Sequence, residues 1–336
     1  MSSTENISST ESAQAGVSAD QISAVSAGSG GTKKRRFALP RLDVKLGLGL
    51  VLTGAIIVFA IIGPMVTQNP RDYTNPTYLP PGADHLLGTN NLGADVLAQL
   101  AEGARGSLLV GLFAGFIAVV LSLFFGIVAG YLGGLVDETL SLITNIMLVI
   151  PGLPLVIVIA SYLESRSMWI IAVVLGFTSW AGSAVVLRLQ AKSLRTRDYV
   201  AASKVAGEKT YRIILIEILP NLLPLLAAMF LSASVLAILS EAGLSYLGLG
   251  PSGSITWGTM LNQASQHNAF TTGTWWWFVP PGALIALLGC GLSLINFSID
   301  ETINPKLKSA PDAVRKVRKA EKELRRARKQ KEEARG

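Results

Sequence analysis

The chain has 336 residues, of which 50% are hydrophobic and only 15% charged. A soluble globular chain carries about 25% charged residues, so the composition argues against a soluble domain and for a bundle of spanning helices at about 20 residues per crossing. The formal charge of +7 is local: residues 306–336 hold 13 Lys or Arg against 5 Asp or Glu, which leaves a net −1 for everything before them. With no aromatic or motif support, that basicity does not indicate nucleic-acid binding. Cys290 is the single cysteine, which argues against an intrachain disulfide or a cysteine-built metal site.

Residues 1–31 are rich in Ser, Ala and Gly, with three acidic residues, no basic ones and no apolar block. A secretory signal needs a basic start and an apolar core, so 1–45 reads as a disordered tail ending in basic residues, Lys33, Lys34, Arg35 and Arg36 among them. Six predominantly apolar runs free of Asp, Glu, Lys and Arg follow. They place spans at about 46–68, 106–131, 139–163, 167–187, 220–240 and 278–299, the second run extending to 136 and the fifth beginning at 218. In lipid every backbone polar group needs an internal partner, and these runs lack strand alternation, so the class is an all-α integral membrane protein with six spans over 46–306.

Basic residues near span ends stay cytoplasmic. The 188–217 connection carries seven of them, from Arg188 to Arg212, whereas 241–277 has no basic residue and only Glu241. Both termini and 188–217 are therefore expected in the cytoplasm, with 69–105 and 241–277 outside. Asp137 and Glu138 fall in a predicted cytoplasmic turn with no basic neighbour in the turn. Trp257, Trp275, Trp276 and Trp277 precede the last span, where indoles favour the headgroup layer. Pro151 and Pro154 interrupt the third span and predict a kink or break there.

Between Arg188 and Pro224 the chain is largely polar. Tyr199, Ala202, Val205 and Ala206 follow helical spacing, predicting a short helix with a small apolar face that could press on a partner's groove. Gly207 would end that helix and Pro220 would open the next span.

The run from Asp198 and Tyr199 through Ala201, Ala202 and Ser203 to Gly207, followed by Leu219-Pro220, resembles the EAA loop of ABC importer permeases, with Ala201 at the Glu of the pattern. Leu87-Gly88-Thr89-Asn90-Asn91-Leu92-Gly93-Ala94-Asp95-Val96 is similar to the LGTDxxGRDV motif of dipeptide, oligopeptide and nickel permeases, with Asn90 and Ala94 as departures. Glu241 through Leu247, Gly248 and Gly250, then Trp257-Gly258, resembles that family's ESxLSFLGLG and WG stretch. The resemblance is to DppC- or OppC-like permeases and runs from about Leu86 to Leu307.

That resemblance implies a type I importer (MetI-like) fold in the bacterial plasma membrane, with 198–207 as the cytoplasmic coupling helix. It implies a second related permease, two ABC ATPase subunits or domains, an extracytoplasmic substrate-binding protein and contact with membrane lipid. No Walker A sequence is present, since Gly207-Glu208-Lys209-Thr210 has the wrong spacing. ATP and Mg²⁺ therefore belong on partner subunits and no cofactor on this chain, which is a translocation subunit and not an enzyme. Peptide is the expected cargo, with nickel or another small solute as the alternative.

An ion-coupled secondary transporter would place ionisable residues within its spans, and the six runs contain none. An intramembrane hydrolase using Ser245 or Ser293 lacks an assignable base, because His85 and His267 both lie in outer loops. The basic segment 307–336 reads as a charged helix or tail, with Val317, Ala320, Leu324 and Ala327 at helical spacing.

Overall fold

The computed structural model describes residues 44–303. The N-terminal tail through Lys33 to Arg36, and the helix expected in 307–336, lie outside the described residues. Among the described residues the only strand-like pairing is an isolated bridge between Thr89 and Asp95. The rest is helix and loop: α1 (Val44–Val66), α2 (Val96–Leu132), α3 (Gly134–Val149), α4 (Gly152–Tyr162), α5 (Met168–Ser179), α6 (Ala181–Arg195), α7 (Asp198–Val205), α8 (Thr210–Tyr246), α9 (Trp257–Gln266) and α10 (Trp275–Ile303).

Four helices, α1, α2, α8 and α10, are long and apolar enough to cross a membrane, and two bent pairs bring the number to six when each pair is one span. The pair α3 and α4 is bent by 83°, and α5 and α6 by 48°. The first bend has its cause in the sequence. Ile150 and Pro151 are extended, and Pro154 occupies the third position of α4, where a missing amide breaks no helical bond. The second bend was not expected. It falls at Trp180, whose carbonyl accepts Ser122 Oγ of α2 at 2.8 Å and whose buried ring lies 4.2 Å from that of Phe125.

Helix α2 is the spine. In lipid no hydrophobic force drives helices together, so close backbone approach at small residues carries the packing. Gly111 and Gly115 face Ile238 and Ser234 of α8, and a Cβ on Gly115 would come within 3.1 Å of the Ser234 amide nitrogen. Gly126 and Gly130 face α6, where a Cβ on Gly130 would lie 2.8 Å from Ala191 Cβ. Toward the start of α2, a core of Val96, Leu100, Ala104, Trp257, Met260, Trp277 and Leu288 joins α2 to α9 and α10. Toward its end, Ile127, Tyr131, Leu187, Val200, Ile213 and Leu222 tie α2 to α6, α7 and α8.

Several expected boundaries move. Helix α2 begins at Val96, ten residues before the charge-free run, because Glu102 is only partly buried and Arg105 is exposed on a first stretch whose remaining positions from Val96 to Leu108 are mostly buried. Helix α8 begins at Thr210, so Pro220 lies inside it. A wide π turn over Ile213–Ile218 precedes that proline, with the Leu219 amide reaching back to Ile214. Trp257 and Trp277 are fully buried in protein, which corrects their expected headgroup position; Trp275 is exposed, and Trp276 Nε1 donates to Thr89 O at 3.3 Å.

Candidate functional site

Two constellations occupy opposite ends of α8, a helix of 37 residues that at 1.5 Å per residue is about 55 Å long. At the Thr210 end lies α7, eight residues from Asp198 to Val205. An isolated helix of that length is unstable in water, so its attachments decide whether it exists. Its C-terminus is closed by a Schellman arrangement: Gly207 at φ +77 donates to Lys204 O at 3.1 Å, and Glu208 donates to Ser203 O at 3.1 Å. A Cβ on Gly207 would meet nothing within 4 Å, so the glycine is there for its backbone angle and not for space.

One residue of α7 points into the protein. Val200 is fully buried among Ile127, Tyr131, Leu187, Ile213 and Leu222, while Lys204 Nζ lies 5.0 Å over the Tyr131 ring. The phenol of Tyr199 is pushed above its ordinary pKa by partial burial, and Asn221 Nδ2 approaches it at 3.5 Å. Asp198, Ala201, Ala202, Val205 and Ala206 are exposed, Val205 at 91%, and Ser203 donates only to Tyr199 O. The face predicted from spacing therefore looks away from the chain, and the inward anchor, Val200, was missed. Leu219 is partly buried against the same core and Pro220 is exposed.

Asp137, without a basic neighbour in its own turn, finds two across space. Its carboxylate accepts Arg188 Nε and Nη2, and Lys192 Nζ lies 2.6 Å away. This clamp joins the start of α3 to the end of α6, beside the α7 attachment. Sequence spacing could not pair residues 51 positions apart.

At the Tyr246 end Glu241 is fully buried. It accepts Ser245 Oγ at 2.6 Å, Thr256 Oγ1 at 2.8 Å and, more weakly, Ser107 Oγ at 3.5 Å. Thr256 caps α9 and closes a capping box with Thr259, while the Trp257 amide donates to Ser107 Oγ at 3.1 Å. A buried carboxylate needs hydrogen-bond donors if it lacks a cation. Here hydroxyls from α2, α8 and the α9 cap supply them, and no basic side chain among the described residues pairs with Glu241. The expected loop position of Glu241 is corrected: α8 continues past it to Tyr246, and charge counting ended the span too early. Ser107 and Thr256 were missed, because a lone hydroxyl in an apolar stretch carries no pattern.

The 87–96 motif leads into the start of α2 and touches Trp276 of α10. Gly88 at φ +67 and Gly93 at φ +83 let the loop turn back on Leu79 and Asn75. Thr89 Oγ1 donates to Pro76 O at 2.7 Å and accepts the Leu79 amide at 2.9 Å. Asp95 caps α2 through the Ala98 amide at 2.8 Å and holds His85 Nδ1 at 2.8 Å. Asn90 Oδ1 accepts the Leu92 and Ala94 amides, and its Nδ2 donates to Gln99 Oε1 at 3.2 Å, a bond an aspartate could not make. Leu247 is exposed, Gly248 has φ +80, and Gly250 is pressed on Ser245. Among the described residues no three His, Cys, Asp or Glu side chains gather into a metal site.

Residues 122–309 match the family model described as the binding-protein-dependent transport system inner membrane component. The chain belongs to this permease family. It is 34% identical over 265 residues to the dipeptide transport system permease protein DppC of Bacillus subtilis, covering 77% of this chain and 81% of that protein. The oligopeptide transport system permease protein OppC of the same organism is 33% identical, covering 78% of this chain and 85% of its own. DppC of Haemophilus influenzae is also 33% identical, with 78% and 90% covered. The chain is thus a multi-pass membrane permease of the DppC and OppC kind, in agreement with the resemblance read from its motifs.

Proposed function

We propose that the chain is the translocation subunit of an ATP-driven importer of di- or oligopeptides, working with a second permease, two ABC ATPase subunits that hold ATP and Mg²⁺, and a substrate-binding protein outside a bacterial plasma membrane. The peptide cargo rests on the chain's likeness to dipeptide and oligopeptide permeases. Both termini and α7 face the cytoplasm in this reading, which the seven basic residues between Arg188 and Arg212 support. The segments 67–95 and 247–274 then face the delivering protein.

The single observation that carries the coupling role is the attachment of α7. One buried side chain, Val200, holds it, and a small-residue face of Ala201, Ala202 and Val205 is left uncovered for an ATPase groove. Closure of two nucleotide domains would displace α7 as a rigid body. Helix α8 begins five residues after α7 ends, so the displacement passes along α8 to the Glu241 knot, where α2, α8 and α9 meet. The chain transmits force and makes no bond.

The test is uptake into proteoliposomes that contain this chain, its companion permease, the ATPases and the binding protein. Peptide accumulation that requires internal ATP and every subunit is expected. Accumulation by this chain alone, or driven by a proton gradient without ATP, contradicts the proposal.

A further inference from the structure

Beside the Glu241 knot, under the loop that joins α8 to α9, lies a cavity of about 490 Å³. Ligand sites for small molecules fall in the range of roughly 300–1,000 Å³. Two arginines from distant parts of the chain line it. Arg71 comes from the loop before α2 and Arg166 from the short connection before α5. No aspartate or glutamate lines it, and neither arginine has an ion-pair partner among the described residues.

Among the described residues each guanidinium makes one hydrogen bond. Arg71 Nη2 donates to Gly253 O at 2.5 Å, and Arg166 Nη1 donates to Gly248 O at 3.1 Å. The Ser252 amide in turn donates to Arg166 O at 2.7 Å, so the loop and the arginine backbone hold each other. Arg166 Nε is buried without a hydrogen-bond partner among the described residues. A buried donor left unmade costs free energy comparable to a lost hydrogen bond, and more on a charged group. Gly253 and Ser254 also line the cavity, and their amides donate to no acceptor among the described residues. Two cationic side chains without an acidic neighbour in the lining suit an anion, and the planar fork of a guanidinium suits a carboxylate best.

We propose that this cavity receives the terminal carboxylate of a peptide between its release from the delivering protein and its entry into the pathway. The assignment of the carboxylate to cargo rests on the peptide-importer reading above; the anion-binding character of the cavity does not. Ser245 touches both the cavity and Glu241, so an occupied cavity bears directly on the knot where α2, α8 and α9 meet.

The experiment uses the complete assembled transporter carrying Cys290→Ser, with Gln263→Cys at the cavity wall labelled by an environment-sensitive fluorophore. It is titrated with N-acetyl-dialanine and with the C-terminal amide of the same compound. A saturable response to the acid and none to the amide is expected. Arg71→Gln and Arg166→Gln should each weaken the acid about tenfold, the worth of one charge-assisted hydrogen bond. Arg166→Lys, which keeps the charge and loses the fork, should fall between wild type and Arg166→Gln, and thermal melting of each variant identifies one that has simply failed to fold. Equal responses to acid and amide, no saturable response, or unchanged affinity in folded variants overturns the proposal. So does a response produced only by the cargo-free binding protein, which would assign the arginines to an acidic side chain of that partner. Peptide uptake by the same preparation separates the two readings. Saturation without uptake leaves the carboxylate site standing and removes the cargo assignment, whereas uptake without saturation overturns the site and leaves the peptide-importer reading standing.

Discussion

Replacing Val200 by alanine tests the attachment of α7 most sharply. Val200 is fully buried, and burying a valine side chain contributes about 1.5–3 kcal/mol. The other inward attachment, Lys204 over the Tyr131 ring, adds about 0.5–1 kcal/mol at a largely exposed position. Removing two methyl groups from Val200 costs about 1.5–2.5 kcal/mol once the cavity among Ile127, Leu187 and Ile213 is included. That is the largest single contribution among the attachments of α7, beside Lys204 over Tyr131 and the Asn221 contact to Tyr199. The undocked fraction of α7 should therefore rise about ten- to seventyfold, while α8 and the remote core stay intact. Hydrogen exchange read by mass spectrometry over 198–206 is the direct assay, with peptide uptake per ATP hydrolysed as the functional one. Val205→Ser supplies the contrast. At 91% exposure Val205 contributes little to stability in the isolated chain, so exchange should be unchanged, yet coupling should fall if that face meets an ATPase. Wild-type exchange in Val200→Ala, or equal exchange increases in the two variants, would refute the single-anchor account.

Gly207→Val should destabilise the α7 turn by about 1–2 kcal/mol through its left-handed backbone alone, since no neighbour opposes the side chain, and Gly207→Asn should recover much of that in a melting curve. Glu241→Ala leaves Ser245 and Thr256 without their acceptor, at about 1–3 kcal/mol, and should loosen α9; Glu241→Gln, which keeps an acceptor oxygen, should cost less by the same measurement. Asp137→Asn removes the shared partner of Arg188 and Lys192, and about 1–3 kcal/mol of thermal stability should be lost, a loss that added salt only partly masks in the wild type. Gly115→Leu should block assembly of the bundle outright, detected as aggregation on size-exclusion chromatography, because Ser234 stands where the side chain would go.

The periodic and compositional features were legible in the sequence. Long apolar runs marked the four straight spans, Pro151 marked the sharpest bend, and the spacing from Tyr199 to Gly207 marked a short helix ended by glycine. What stayed hidden depends on three-dimensional neighbours. Helical spacing places Tyr199, Ala202 and Val205 on one face but cannot say whether that face looks inward, and here the buried residue is Val200. Counting charges ended the fifth span before Glu241 and started the second after Arg105, because a formal charge looks the same whether it is solvated or held by hydroxyls. The Asp137 clamp and the Arg71 and Arg166 cavity each join residues far apart in the chain. The bend at Trp180 has no proline, and its carbonyl, which accepts the Ala184 amide, also accepts Ser122 Oγ from another helix.

The central claim is that α7 is moved by a separate nucleotide-hydrolysing subunit. A cysteine at Ala202 in a Cys290→Ser background, with single cysteines scanned along the groove of the partner ATPase, measures it directly by disulfide crosslinking in the assembled transporter. Crosslinks that form at Ala202, change efficiency when ATP is added and arrest uptake until reduced are predicted. Crosslinks absent at Ala202 and Val205 throughout the ATP cycle, while uptake proceeds normally, would contradict it.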